Sequence, residues 1–416
     1  ELVERSVALD SFVKKSDRRR ESDSIYEIFS FFKQGFNFIT SLNFTPNELK
    51  YKLFLFLSLD SAICSTYIEV MLSLISKPFR ARLTPPAPSN ARGSKTPVKA
   101  KSPFPSWCPD ITENRNLTFE NICIIINNVS SIRLKWFQYI AIYNKYIPNQ
   151  PQILKALKAT EKKAVKDEPL SPQNLLLNEN ESTEEFVEVN NETFKDPCIK
   201  LSQKVAFMMN FLRLDVTFSI IELLDKKMWG TSMNRMNIKQ LREHFFADSH
   251  NRVDEDNIDT VFDHIFDLMK DRLQKVKDNL LTSMQVKCLP QLFRGLEEGI
   301  FECMIPMAFS TKSKNVFPIM TKKIDILFSD VWNYIEEAGF GKEIVNRCIM
   351  SLRLWPFVRD FMHLTVKEVD EEMKNQKSKF NGDYTYIILL SIIGQSITPV
   401  PLPKTVNPNY TFINID

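Results

Sequence analysis

Glycine is scarce: nine residues in 416, where a typical globular chain holds ~7%. A Rossmann sheet, a barrel or a propeller needs more, because glycine is the residue that tight turns with positive φ tolerate. Histidine is scarcer still, with only His244, His250, His264 and His363. None lies in an HExxH motif or beside a nucleophile motif, so each reads as an ordinary helix-surface or core residue. The chain has neither a GxxxxGK[ST] phosphate loop nor a GxGxxG turn. Net charge is also small: 54 Lys and Arg stand against 51 Asp and Glu, giving +3. The chain as a whole therefore has no strong built-in attraction to nucleic acid or an anionic membrane.

The cysteines, Cys64, Cys108, Cys123, Cys198, Cys288, Cys303 and Cys348, are scattered singly without a CxxC pair. That spacing argues against a paired-cysteine zinc site or a disulfide framework, and for reduced, partly buried thiols in a cytosolic protein. Asp254-Glu255-Asp256 lacks the central glycine and terminal glutamate of a calcium loop. No signal peptide is visible, and a start at Glu1 suggests a piece of a longer protein. Apolar runs such as Tyr384 to Gly394 are too short to span a bilayer, and the longer stretch from Tyr51 to Ile75 is interrupted by Asp60 and Glu69. These absences predict a non-enzymatic protein without cofactor or metal.

What remains is ordinary in bulk, 44% hydrophobic and 25% charged, with thirty-two Phe and fourteen Met. With so few turn residues, this predicts an all-α fold of long helices packed as elongated bundles. Ile25, Ile28, Phe29, Phe32, Phe36 and Ile39 recur every three or four residues, as one buried helical face requires. Phe44-Thr45-Pro46 ends that helix, with Thr45 as N-cap and Pro46 in the first position of the next. The second helix runs from about Glu48 to Ser76 and stops before Pro78. Residues 84–105 are basic, proline-rich and aperiodic, and read as a flexible loop. Thr96-Pro97 and Ser102-Pro103 within it suit phosphorylation or docking. Helical period returns at Thr118, with Glu120 and Asn121 in the first turn, and continues through Trp136 and Ile140.

Residues 149–197 form a second break whose later part is acidic and Asn-rich. The predicted organisation is a first bundle at 1–146, a linker at 147–197 and further bundles over 198–416. In the second half, helices are predicted at 199–227, 256–287, 290–307, 316–338, 342–352 and 357–377, with a proline-rich extended tail from 398. Gly339-Phe340-Gly341 is placed to cap a helix C-terminus. Trp136, Trp229, Trp332 and Trp355 fall in helical context as core residues.

Two features invite functional readings. Asp259, Asp263, Asp267 and Asp271 lie four apart and share one slowly drifting helical stripe. It reads either as a solvated face opposite the apolar seam or as an acidic docking strip for a basic partner helix. Phe211-Leu212-Arg213 matches the FLR element of helical GTPase-activating domains, which need an exposed arginine finger. A helical GTPase regulator is therefore one alternative, and a helical subunit or scaffold of an exocyst-like tether is another.

The first half resembles the MUN domain of the UNC/Munc vesicle-priming factors and of the calcium-dependent activator protein for secretion. Residues 1–12, with Val3, Ala8 and Asp10, resemble its opening helix. Residues 24–44 resemble its Ser-x-x-Asp/Glu-x-Phe-x-x-Phe helix through Ser24, Glu27, Phe29 and Phe32. Residues 49–70 match the next helix through Leu49 and Tyr51. TFENICIIINNVSSIRLKW at 118–136 is similar to the family's Phe-x-x-Glu-x-Cys-Val-x-Leu-Asn-Asn-Ile-x-x-x-Arg, through Phe119, Cys123, Asn127, Asn128 and Arg133, with Ile126 in place of leucine. Independently of the family, Asn127 and Asn128 need polar partners inside an apolar helix, and satisfying them fixes which helices pack together. A second Munc-homology-like region spans about 285–400. There Pro290 to Pro306 precede Ile324 to Lys342, with Phe328, Trp332 and Glu336-Glu337-Ala338-Gly339-Phe340-Gly341.

The resemblance implies a rod of stacked antiparallel bundles, similar to subunits of vesicle-tethering complexes. It implies binding to SNARE proteins of the syntaxin type, with a Sec1-type chaperone as a further partner, and no nucleic acid. It also implies a cytoplasmic location, peripheral to the plasma membrane or secretory vesicles, with membrane contact made by separate lipid-binding domains.

Overall fold

The computed structural model describes residues 2–8, 10–16, 20–83, 117–145, 192–224, 258–309 and 316–361, with 367, 368 and 371. Among these the chain is all-α and contains no strand. The elements are α1 (Leu2–Ala8), α2 (Asp23–Ser41), α3 (Pro46–Leu83), α4 (Phe119–Lys145), α5 (Glu192–Leu224), α6 (Ile258–Asn279), α7 (Thr282–Phe309), α8 (Val316–Glu337), α9 (Lys342–Ser351) and α10 (Trp355–Phe361). The expectations for 84–105, for most of 149–197, for the end of the helix at 357–377 and for the tail from 398 lie outside the described residues. So do Cys108, Trp229, His244, His250 and His363.

The chain divides into two compact units that do not follow its order: residues 1–72 with 124–208, and 73–123 with 209–416. In the first unit, α1 packs on α2. The link between them turns at Phe12, a buried residue with φ of 52°, whose N–H donates to Asp10 Oδ1 at 2.7 Å. Helices α2 and α3 form an antiparallel hairpin. Ser24 meets Tyr67 near its base, and a Cβ on Gly35 would meet the Phe56 ring farther out. The hairpin turn is fixed as the sequence predicts. Thr45 Oγ1 donates to Glu48 Oε2 at 2.7 Å and Glu48 N–H donates back to Thr45 Oγ1 at 3.4 Å, a reciprocal cap on the start of α3. Ile25, Ile28, Phe32, Leu57, Cys64 and Trp136 are among its buried core residues.

Helix α3 does not stop before Pro78; it runs through that proline to Leu83. Proline inside a helix costs ~3 kcal/mol, and packing within the second unit offsets it. Phe79 lies 5.7 Å from the Phe211 ring and 6.1 Å from Phe218, while Arg82 pairs with Glu222 and stands 4.9 Å over the Phe218 ring. The stretch Tyr51–Arg80 is long and apolar enough to cross a membrane by length and composition alone.

In the second unit, α6 packs against α7 and α8, and α9 packs against α7 and α8. The helix predicted over 256–287 is two helices, broken at Leu280. The apolar series runs on across the break, so periodicity hides it. What stabilises the break is Gln285, whose Nε2 donates to Leu280 O at 2.9 Å and to Lys277 O at 3.1 Å. These are carbonyls that a helix end leaves without partners. The end of α8 is capped as predicted. Gly339 takes φ of 82°, its N–H donates to Glu336 O at 3.0 Å, and the Phe340 N–H donates to Ile335 O at 3.3 Å. Lys277 Nζ donates to Ala338 O at 2.7 Å and ties this cap to α6. Trp136 and Trp355 are buried, and Trp332 is half-buried.

Candidate functional site

The four aspartates of the predicted strip share one exposed face of α6, opposite the buried seam of Ile258, Phe262, Ile265, Met269, Leu273 and Val276. Their surroundings differ. Asp259 pairs with Lys323 at 2.8 Å. Asp267 pairs with Lys270 at 2.8 Å, and that hydrogen bond holds its carboxyl below the usual range. Asp271 meets both Arg272 and Lys275 at 2.9 Å. Lys275 also reaches Glu120 at 3.0 Å. Burial works to lower the Lys275 ammonium pKa, but its bonds to Asp271 and Glu120 outweigh that and raise it. Arg272 reaches back to Asp215 at 2.9 Å and lies 4.7 Å over the Phe119 ring. Asp263 has no salt bridge among the described residues. Both ends of the strip are thus tied to other helices of the unit, while Asp263 and Asp267 form its open middle. Exposed pairs are worth ~0–1 kcal/mol, so an incoming basic side chain can displace Lys270 at little cost.

The asparagine pair on α4 has the partners the sequence demands. Asn127 Nδ2 donates to Arg20 O at 2.6 Å. Asn128 accepts the Ser22 N–H at 3.0 Å, and donates to Ser22 Oγ at 2.7 Å and to the Tyr67 hydroxyl at 2.9 Å. Tyr67 also meets Ser24 Oγ at 2.8 Å. Asp10 Oδ2 accepts Ser22 Oγ at 2.5 Å and the Ser24 N–H at 3.0 Å. All five side chains Asp10, Ser22, Ser24, Tyr67 and Asn128 are buried. Burial, the largest influence, pushes the Tyr67 hydroxyl pKa up, so this hydroxyl stays protonated at physiological pH. Its chemistry is positional: it fixes α2, α3 and α4 in one register within the first unit.

Two further buried carboxyl sites had no signal in the sequence. Glu297 on α7 accepts the N–H groups of Arg353, Leu354 and Trp355 at 3.0, 2.8 and 2.6 Å, taking up donors at the start of α10. Burial nevertheless pushes its pKa up to about 7. Asp60 on α3 is the opposite case: it is 0% exposed, and neither carboxyl oxygen has a hydrogen-bond partner. Burial pushes Asp60 up to about 8, so the group is largely protonated at neutral pH. The sequence shows Asp60 only as an acid interrupting an apolar run.

Arg213 does not present an exposed finger. It is 2% exposed and donates to Glu298 Oε1 at 2.9 Å. The described cysteines are free thiols, all buried, and burial raises Cys198 and Cys288 to about 12. His264 is half-buried and bonds the Thr260 carbonyl of its own helix. Among the described residues, no group of three or more His, Cys, Asp or Glu side chains could hold a metal ion. Comparison of the chain with protein-family models, curated proteins and solved structures finds no match.

Proposed function

We propose that the chain is a non-enzymatic MUN-like helical module that binds SNARE proteins of the syntaxin type and promotes their assembly in vesicle priming or tethering for exocytosis. The observation that carries this reading is where the family-like stretches meet. Asp10 comes from 1–12, Ser24 from 24–44, Tyr67 from 49–70 and Asn128 from 118–136, and the four join in one buried polar network. Stretches far apart in sequence, each matched to the family by pattern, are thereby joined by polar bonds that fix helix register. An arrangement of stacked bundles in a rod, similar to tethering-complex subunits, is part of the proposal. So is a cytoplasmic position at the plasma membrane or secretory vesicles, with a Sec1-type chaperone as a further partner.

The mechanism is differential binding. A module accelerates SNARE assembly without chemistry by holding the open conformation of the SNARE more tightly than the closed one. A tenfold preference corresponds to ~1.4 kcal/mol, within reach of a few ion pairs and one apolar contact. On this reading Asp259, Asp263, Asp267 and Asp271 receive basic side chains of the partner, with Asp263 and Asp267 as the exchangeable centre. Titration calorimetry with a syntaxin-type SNARE locked open or locked closed tests the idea. The expected result is binding to the open form about tenfold tighter or more, without nucleotide. Equal affinity for the two forms would sink it.

A further inference from the structure

Exposed apolar side chains concentrate at one place in the described structure, the outer part of the α2–α3 hairpin. Six of the nine large hydrophobic residues left exposed lie there: Phe31, Phe38, Leu42, Tyr51, Leu55 and Leu59. Phe38 is 65% exposed, Tyr51 58% and Leu59 51%. Tyr51, Leu55 and Leu59 stand four apart on α3, which makes them one stripe on the side opposite the buried Leu53, Leu57, Asp60 and Cys64. The antiparallel register that pairs Ser24 with Tyr67 and Gly35 with Phe56 places Phe38 level with the start of that stripe. Leaving so much apolar surface in water is unfavourable by ~25 cal/mol per Å², and a concentration of this kind marks a contact surface.

The charge of the segment identifies what the contact is. From Ile28 to Leu59 the sequence holds Lys33, Lys50 and Lys52 but a single acid, Glu48. That acid is turned back onto Thr45 by the reciprocal cap. Lys33 and Lys52 are exposed. Eight phenylalanines fall in the same stretch. Aromatic and leucine side chains with lysines around them, and almost no acid, are the make-up of an element that lies in a lipid headgroup region. There the rings enter the acyl boundary and the ammonium groups reach back to anionic headgroups.

We infer that the outer end of the α2–α3 hairpin is a peripheral docking site for an anionic lipid bilayer. The assignment does not rest on the SNARE reading, and it places membrane contact in this chain itself. Neither the Gly35–Phe56 contact nor the Thr45–Glu48 cap has to open for the tip to insert.

The test is co-sedimentation of the full chain with vesicles of phosphatidylcholine plus phosphatidylserine, against vesicles of phosphatidylcholine alone, at low and high salt. The expected result is binding to the mixed vesicles that weakens with salt. Replacing Phe38→Glu with Tyr51→Glu is expected to reduce it roughly tenfold or more, and Lys33→Glu with Lys52→Glu by a similar factor. All four residues are exposed, so unchanged circular dichroism and an unchanged unfolding midpoint should accompany the loss. Failure of the folded wild-type chain to bind, or equal binding by the variants, overturns the inference. So does concentration-dependent dimerisation in sedimentation equilibrium that Phe38→Glu abolishes, since a second copy would then be what covers this face.

Discussion

Gly295→Ala is expected to destabilise the fold by about 3 kcal/mol. A Cβ at this position would sit 2.5 Å from the backbone oxygen of Arg213 and 3.1 Å from the Val216 Cβ. Backbone cannot swing aside as the end of a side chain can, so α5 and α7 would have to separate. Four residues on, a Cβ at Gly299 would stand 2.9 Å from Ile220 Cβ and 3.0 Å from Thr217 O. The two glycines thus form one contact seam, along which Thr217 Oγ1 donates to Gly295 O at 3.2 Å. Separating the helices would also strain the adjacent buried pair of Arg213 with Glu298, and breaking a buried pair is costly. Denaturant titration gives the test: a large fall in midpoint at unchanged slope. Gly339→Ala is the comparison. Nothing lies within 4 Å of its Cβ position, and only the φ of 82° opposes the change, so its cost is expected near ~1 kcal/mol. Equal, small effects at the two sites would contradict the close approach of α5 and α7.

Asp60→Asn is expected to do the reverse and raise stability at neutral pH, by ~2–4 kcal/mol. The folded chain keeps the Asp60 proton up to about pH 8, against a usual value of 3.8. Between those values the folded state binds more protons than the unfolded state. Stability from this group is therefore fully present below the lower value and is lost as pH rises through the higher one, at up to ~1.4 kcal/mol per pH unit. Glu297 and Glu298, raised by burial to about 7, contribute slopes of the same sign that end about a unit earlier. The largest single part of the slope between pH 7 and 8 is thus Asp60's. Asparagine has nearly the same shape and cannot ionise, so unfolding measured from pH 5 to 9 should lose that part in the variant. A slope unchanged above pH 7 would mean that Asp60 has a partner or is ionised when folded.

The sequence is most legible where a signal is local. The Thr45-Pro46 start, the Gly339 cap and the Ile25–Ile28–Phe32 face are set by residues within a turn or two of one another, and the structure has each of them. The Asn127–Asn128 pair signals a need for partners, though not that Arg20, Ser22 and Tyr67 supply them. The continuation through Pro78 and the break at Leu280 are not legible. Each is decided by distant side chains, Phe211 and Phe218 in one case and the Gln285 amide in the other, against or without a local cue. Glu297 follows the same logic, since its three N–H partners lie beyond two further helices and leave no period. The acidic strip is legible as a pattern, but its partition into tied ends and an open middle depends on Lys323, Glu120 and Asp215, none of which is on α6's own exposed face. Asp60 reads in sequence as an interruption, and only packing shows that it is enclosed without a partner.

The central claim, promotion of SNARE assembly, is tested most directly by following assembly by fluorescence from closed syntaxin bound to its Sec1-type chaperone, with and without the chain. The account predicts acceleration independent of nucleotide, reduced by Asp263→Lys with Asp267→Lys while the unfolding midpoint stays unchanged. No acceleration with any cognate SNARE set, from a chain shown to be folded, would contradict it.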